Sequence, residues 1–209
     1  MLNTAYIRKL RQTMLSYATK RRDVIKQSGD ALHQAKRAIF ALHRDNVAEA
    51  KEKLTAAENI FIDLGKTYRR ESALLEEGSY LAALEEYIEA RLMYQFITEG
   101  KIGEVKGVAV DSKVYIAGLC DLPGELYRYA IAAATKHDLK LVKTCAHLSD
   151  DIIGELIEFD LTSYLRTKFD QAKQANHRLE QVVYEVSLRE TGPMGPSDHT
   201  DSVPRRRRN

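Results

Sequence analysis

Apolar residues recur at three- and four-residue steps along most of this chain, and this helical period limits the possible folds more than any other feature of the sequence. The first such stretch runs from Ala5 to about His43. It predicts either one long helix or two helices joined near Ser28 and Gly29. Its apolar residues are Ile7, Leu10, Met14, Tyr17, Val24, Ala31, Leu32, Ala35, Ile39 and Leu42.

The same period, together with capping residues, predicts the helices that follow. We expect a helix that begins after the N-cap Asn46 and runs past Tyr68. Further helices are expected from about Tyr80 to Thr98, from Asp111 or Ser112 to about Lys136, and over about 138–156 and 160–190. Gly100 is a candidate helix C-cap, and the two-glycine segment 101–110 is expected to be a loop or a short extended piece. The sequence contains no strand-rich block and no internal repeat. The predicted fold is therefore an all-α, single-domain bundle of about six to seven helices over residues 1–190.

Composition is consistent with this prediction and excludes several classes of protein. Of the 209 residues, 44% are hydrophobic, which is enough for a packed core. Cys120 and Cys145 are too few to staple the chain, and no zinc-binding spacing occurs. No apolar run reaches membrane-spanning length, so we expect a cytoplasmic protein without a membrane partner. The 32 basic and 30 acidic residues nearly cancel, so nucleic-acid binding would depend on how the charges are distributed.

The C-terminal segment 191–209 differs from the rest of the chain. It is rich in Pro, Gly and Ser and contains four consecutive arginines, Arg205 to Arg208. Because it has little apolar surface to bury, we expect a disordered basic tail. Such a tail either contacts nucleic acid non-specifically or only increases solubility.

Two acidic pairs are candidates for a chemical role. Glu86 and Glu89 are three residues apart on the third predicted helix, and Asp121 and Glu125 are four apart on the fourth, with Arg128 on the same face. The third helix is apolar nearly all round, so its carboxylates would be buried, and buried carboxylates need a cation. Carboxylate oxygens alone suit a hard ion such as Mg²⁺ or Mn²⁺, which can activate water at a phosphodiester.

Each acidic pair is also compatible with a role that involves no metal. A Glu-x-x-Glu spacing arises by chance in a chain with 30 acidic residues. Asp121, two residues before Pro123, is also a candidate helix N-cap. A ferritin-like di-iron site is excluded, because the sequence has no Glu-x-x-His motif. It also lacks a Walker loop, a dinucleotide-binding glycine loop and a nucleophile elbow.

Five segments resemble, in the same order, those of the translin/TRAX family. They are Lys36–Arg44 (KRAIFALHR), Glu86–Ala90 (EYIEA), Tyr94–Ile97 (YQFI), Asp121–Arg128 (DLPGELYR) and Glu180–Arg189 (EQVVYEVSLR). The resemblance covers about residues 5–190. It implies an all-α protein that assembles into closed hollow oligomers and binds single-stranded RNA or DNA.

The resemblance also implies roles for particular residues. The TRAX-like branch has a metal-dependent ribonuclease site, and Glu86, Glu89, Asp121 and Glu125 stand at the matching positions, where they would bind Mg²⁺ or Mn²⁺ and be catalytic. Pro123 departs from the pattern, because a residue that continues the helix is expected there; a proline would kink the turn between Asp121 and Glu125.

Nucleic-acid contacts are best assigned to three basic residues. Lys36 and Arg37 lie in a family-like segment, and Arg128 shares a face with the second acidic pair. Apolar residues on the third and sixth helices exceed what so small a protein can bury, which predicts a homo-oligomer.

Three functions are compatible with the sequence. They are a metal-dependent endoribonuclease for single-stranded RNA, a non-catalytic oligomer that binds single-stranded RNA or DNA, and a helical scaffold without a nucleic-acid ligand. The four acidic residues favour the first function over the second. A basic interior of the oligomer would favour the second over the third.

Overall fold

The computed structural model describes residues 2–190, with side chains through Arg189, and this part of the chain confirms the all-α prediction. It forms six α-helices, one 3-10 turn at Ser72–Leu74 that the sequence did not predict, and no β-strand. The helices are α1 (Thr4–Leu42), α2 (Val47–Thr67), α3 (Gly78–Glu99), α4 (Ser112–Thr135), α5 (Leu139–Ile157) and α6 (Ser163–Glu190). The tail expected at 191–209 lies outside the described residues.

Helix ends follow the local capping chemistry. The side chain of Asn46 accepts a hydrogen bond from the Glu49 backbone N–H, and that of Asp111 accepts one from Lys113. Gly100 ends α3 in the left-handed conformation, with φ of 70°, which glycine adopts without steric cost. The caps Asn46 and Gly100 were predicted from the sequence, and Asp111 is one of the two candidates, with Ser112, that the sequence offered for α4.

Helix α1 is continuous through Ser28 and Gly29, so the alternative of two joined helices is wrong. Its 39 residues span about 58 Å at 1.5 Å per residue. The first buried side chain of α1 is Val24, and from there the helix packs on α2 and α3.

The bundle consists of two helical groups that are joined by the packing of α3 against α4 and by side-chain contacts around it. Helices α1, α2 and α3 pack together, α4, α5 and α6 pack together, and α3 lies against α4. Helix α3 is buried on nearly all sides, as its apolar sequence predicts, and Glu89 is among its buried residues. The α3–α4 contact is therefore the place where carboxylates from the two groups meet.

Close approach of α3 and α4 depends on Gly118. A Cβ atom at this position would lie 2.8 Å from the Glu85 carbonyl oxygen and 2.8 Å from two side-chain atoms of Ile88. Only a glycine allows this packing distance. Gly124, six residues further along α4, has no such neighbour within 4 Å.

Helix α4 passes through Pro123 without ending. Asp121 is therefore an interior residue of α4, and its interpretation as the N-cap of a new helix is wrong. Pro123 has no backbone N–H to donate to the Leu119 carbonyl group, so one intrahelical hydrogen bond is missing beside Asp121.

Candidate active site between α3 and α4

Four carboxylates from α3 and α4 lie near one another at the helix contact. Glu89 is their most buried member, with 7% of its surface exposed. Burial raises its pKa well above the usual value, and the negative charges of Asp121, Glu125 and Glu86 raise it further. Within residues 2–190, Glu89 has no hydrogen-bond or ion-pair partner. The other three carboxylates are therefore near enough for their charges to act on Glu89.

Glu86 lies at the outer edge of this group. Its Oε2 is 3.8 Å from the ammonium nitrogen of Lys36 on α1. Burial raises the Glu86 pKa; Lys36 opposes this shift, while the Asp121 and Glu125 charges add to it. Lys36, which was assigned to nucleic acid from the sequence, therefore also offsets negative charge at the site.

Glu125 is held by two donors. It forms a hydrogen bond with His43 Nε2, and Arg128 Nη1 donates to both of its carboxylate oxygens, at 2.8 and 3.0 Å. Burial would raise the Glu125 pKa, but the hydrogen bonds from His43 and Arg128 outweigh burial and leave the pKa lowered. Glu125 is therefore ionised at neutral pH.

Asp121 is paired with Lys168 of α6, a residue that the sequence did not single out. The Lys168 ammonium group contacts Asp121 Oδ2 and lies 3.3 Å from Glu85 Oε2. The Tyr164 hydroxyl donates to the same Glu85 oxygen at 2.7 Å. Burial raises the Asp121 pKa although Lys168 opposes the shift. Helix α6 thus supplies a cation to the acidic site.

The donor set fits a hard divalent cation by its chemistry. All four candidate ligands offer carboxylate oxygens, and the buried carboxylate of Glu89 has no cation of its own among the described residues. No group of three or more His, Cys, Asp and Glu side chains within residues 2–190 has the geometry to hold a metal ion. Lys168 and the His43–Arg128 pair occupy Asp121 and Glu125, so an ion would have to replace some of these contacts.

A surface cavity of about 310 Å³ opens beside the acidic residues. It is lined by Lys36, Ile39, Phe40, Glu86, Glu125 and Arg128. Phe40 is 56% exposed, and the Arg44 guanidinium carbon lies 4.5 Å from the centre of its ring. The cavity therefore combines two acids, two cations and an exposed aromatic ring.

Arg37, the third predicted nucleic-acid residue, does not line this cavity. Its guanidinium group lies 3.6 Å from Glu49 on α2. Phe40, His43 and Arg44 were missed, although their spacing from Lys36 places them along one face of α1 and offered a signal. Nothing in the sequence pointed to Lys168 or Glu85, because these two residues meet only through the packing of α6 on α4.

No helix within the described residues has the length and apolar character needed to cross a membrane. Cys120 and Cys145 are both buried, and neither forms a disulfide bond.

Comparison with known proteins gives consistent matches. The profile of the Translin family matches residues 19–190. The translin-associated protein X homolog of Schizosaccharomyces pombe is 22% identical over 196 residues, which cover 82% of each chain. The solved structure of apo-NeC3PO has a TM-score of 0.79 at 20% identity, covering 89% of this chain and 98% of its own. The structure of the AfC3PO–duplex RNA complex also has a TM-score of 0.79, at 22% identity, and the match covers 90% of this chain and 99% of its own.

Proposed function

The chain belongs to the Translin family, and on that premise we propose that it is a metal-dependent endoribonuclease for single-stranded RNA that acts as a homo-oligomer. The observation that carries the proposal is the buried Glu89, on which the charges of Glu86, Asp121 and Glu125 act, with Glu86 and Glu125 also lining a cavity that has basic and aromatic walls. A cytoplasmic location is part of the same proposal.

Glu86, Glu89, Asp121 and Glu125 would hold Mg²⁺ or Mn²⁺. When bound, such an ion supplies Lewis-acid stabilisation of a phosphate and an activated water molecule. His43 and Arg128 keep Glu125 ionised through their hydrogen bonds, so a negative ligand is present at neutral pH.

The cavity residues would bind and orient the RNA. Lys36 and Arg128 offer positive charge to phosphate groups at the edge of the acidic cluster. The exposed ring of Phe40, next to Arg44, offers a surface on which an unpaired base can stack. Stacking of this kind needs unstacked bases, which supports the preference for single strands. The relative AfC3PO was solved with duplex RNA, which supports RNA as the ligand class.

A Glu89→Gln variant tests the catalytic part of the proposal. Gln keeps the shape of the side chain but removes a negative ligand, so cleavage of labelled single-stranded RNA with Mg²⁺ should fall about 100-fold or more. RNA affinity should stay within about threefold, because other residues carry binding. Glu52→Gln, on the exposed surface of α2, is the control and should cleave like the wild type.

A cleavage rate for Glu89→Gln equal to that of the wild type would contradict this assignment. So would wild-type cleavage that is unchanged by a chelator.

The second candidate is a non-catalytic oligomer that binds single-stranded RNA or DNA. Two observations favour it: Asp121 is paired with Lys168 and Glu125 with His43 and Arg128, and no group of His, Cys, Asp and Glu side chains within residues 2–190 has metal-binding geometry. Tight RNA binding by the wild type, without cleavage in either Mg²⁺ or Mn²⁺, would establish this candidate in place of the nuclease.

A further inference from the structure

The first part of α1 has no packing partner among the described residues 2–190. Residues 2–16 are exposed except for the half-buried Ile7. Their helical portion, residues 4–16, is about 20 Å long, and the first buried residue of α1, Val24, lies beyond it. We call residues 2–16 the N-terminal arm. Its large exposed apolar side chains are Leu2, Tyr6, Leu10, Met14 and Leu15. Exposed apolar surface of this extent marks an interaction site.

All the charged residues of the arm are basic. The arm contains Arg8, Lys9 and Arg11 and no acidic residue. None of the three forms an ion pair within residues 2–190; the first ion pairs on α1 come at Lys20 with Glu71 and Arg21 with Glu77. Tyr6, Leu10 and Met14 follow one another at four-residue steps and share a face, so the arm has an apolar stripe bordered by positive charge.

A surface of opposite charge lies at the end of α5 and in the loop to α6. Its acidic residues are Asp150, Asp151, Glu155, Glu158 and Asp160, all of them exposed, and no Lys or Arg occurs between residues 144 and 165. Three large apolar side chains, Ile157, Phe159 and Tyr164, are each at least half exposed beside them. We call residues 150–164 the acidic edge.

We propose that the N-terminal arm of one copy of this chain docks on the acidic edge of a second copy, an inference that deepens the homo-oligomer of the proposed function. Each surface is an exposed apolar strip with charged residues beside it. The charges are positive on the arm and negative on the acidic edge, except that the Lys168 ammonium group lies over the Tyr164 ring. Helix α1 does not contact α5 within the chain, so the pairing joins two copies. The apolar stripe favours a protein partner over nucleic acid, because phosphate groups offer nothing for Leu10 and Met14 to bury.

Charge reversal tests the contact by light scattering at about 10 μM protein. The arm variant is Arg8→Glu, Lys9→Glu and Arg11→Glu, and the edge variant is Asp151→Lys, Glu155→Lys and Glu158→Lys. Each of the two variants should have an oligomer mass at least about twofold lower than that of the wild type, because like charges then face each other across the contact. A chain carrying all six changes restores opposite charges and should recover the wild-type mass.

The matched control reverses three exposed lysines outside both surfaces, with Lys101→Glu, Lys106→Glu and Lys113→Glu, and should keep the wild-type mass. Circular dichroism of every variant should show unchanged helix content, since the altered side chains are exposed.

Two results would overturn the contact while leaving the proposed oligomer intact. One is a wild-type oligomer whose mass neither variant changes. The other is an arm variant that keeps its mass but loses RNA affinity, which would assign the arm to nucleic acid instead. A wild-type mass near the chain mass of 23.7 kDa would refute the homo-oligomer itself, and the contact with it.

Discussion

Gly118→Ala is expected to destabilise the protein because Gly118 sets the distance between α3 and α4. The added Cβ would lie 2.8 Å from the Glu85 carbonyl oxygen and 2.8 Å from the Cβ and Cγ2 atoms of Ile88. Neither a backbone carbonyl nor a β-branched side chain can swing away, so the helices must separate by several tenths of an ångström. Overpacking of this kind costs about 3 kcal/mol at the upper end of its usual range.

The gain in helix propensity offsets only part of that cost. Replacing a glycine inside a helix by alanine contributes about 1 kcal/mol. The net expectation for Gly118→Ala is a loss of about 2 kcal/mol in the free energy of unfolding. Gly124→Ala on the same helix is the matched control; because no neighbour lies within 4 Å, it should gain about 1 kcal/mol.

The two variants should therefore differ by about 3 kcal/mol, which corresponds to roughly 6–12 °C in Tm for a chain of this size. Thermal unfolding followed by circular dichroism, at one protein concentration and with chelator, measures this difference. Equal melting temperatures, or a Gly118→Ala variant that is more stable than Gly124→Ala, would refute the close contact of α3 with α4 at this level.

Three further expectations concern charge. Because the pKa of buried Glu89 is raised in the folded state, the unfolded chain loses this proton first, and stability falls as pH rises above about 4.5. Without metal, the free energy of unfolding of Glu89→Gln, measured in urea, should therefore equal that of the wild type at pH 4 and be larger than it at pH 7. A Glu89→Gln variant that is more stable than the wild type by the same amount at both pH values would contradict this. Lys168→Met should increase Mn²⁺ affinity, measured calorimetrically, because it frees Asp121, and unchanged affinity would show that Lys168 does not compete with the ion. RNA affinity should fall steeply with salt, as a titration from about 50 to 200 mM would show.

The all-α architecture followed from the sequence because helix formation is governed by local rules. Apolar periodicity located all six helices. Asn46 and Gly100 marked helix ends that the structure confirms, and of the two candidates Asp111 and Ser112 the structure selects Asp111, since a cap acts within a few residues of its own position. Helix α3 was predicted to be buried because its apolar residues surround it. Four carboxylates could be selected as candidates from spacing and family resemblance.

Which groups meet those carboxylates was decided by tertiary packing. Lys168 reaches Asp121 across 47 residues of sequence, and His43 reaches Glu125 across 82. Periodicity tells which face of a helix is apolar, but it does not tell which neighbouring helix covers that face, at what distance or in what register. Here the missing Cβ of Gly118 lets α3 and α4 approach, and the packing of α6 on α4 brings Lys168 to Asp121. The charge balance of the site is therefore a property of the assembled bundle, because it depends on contacts between helices that local sequence does not encode.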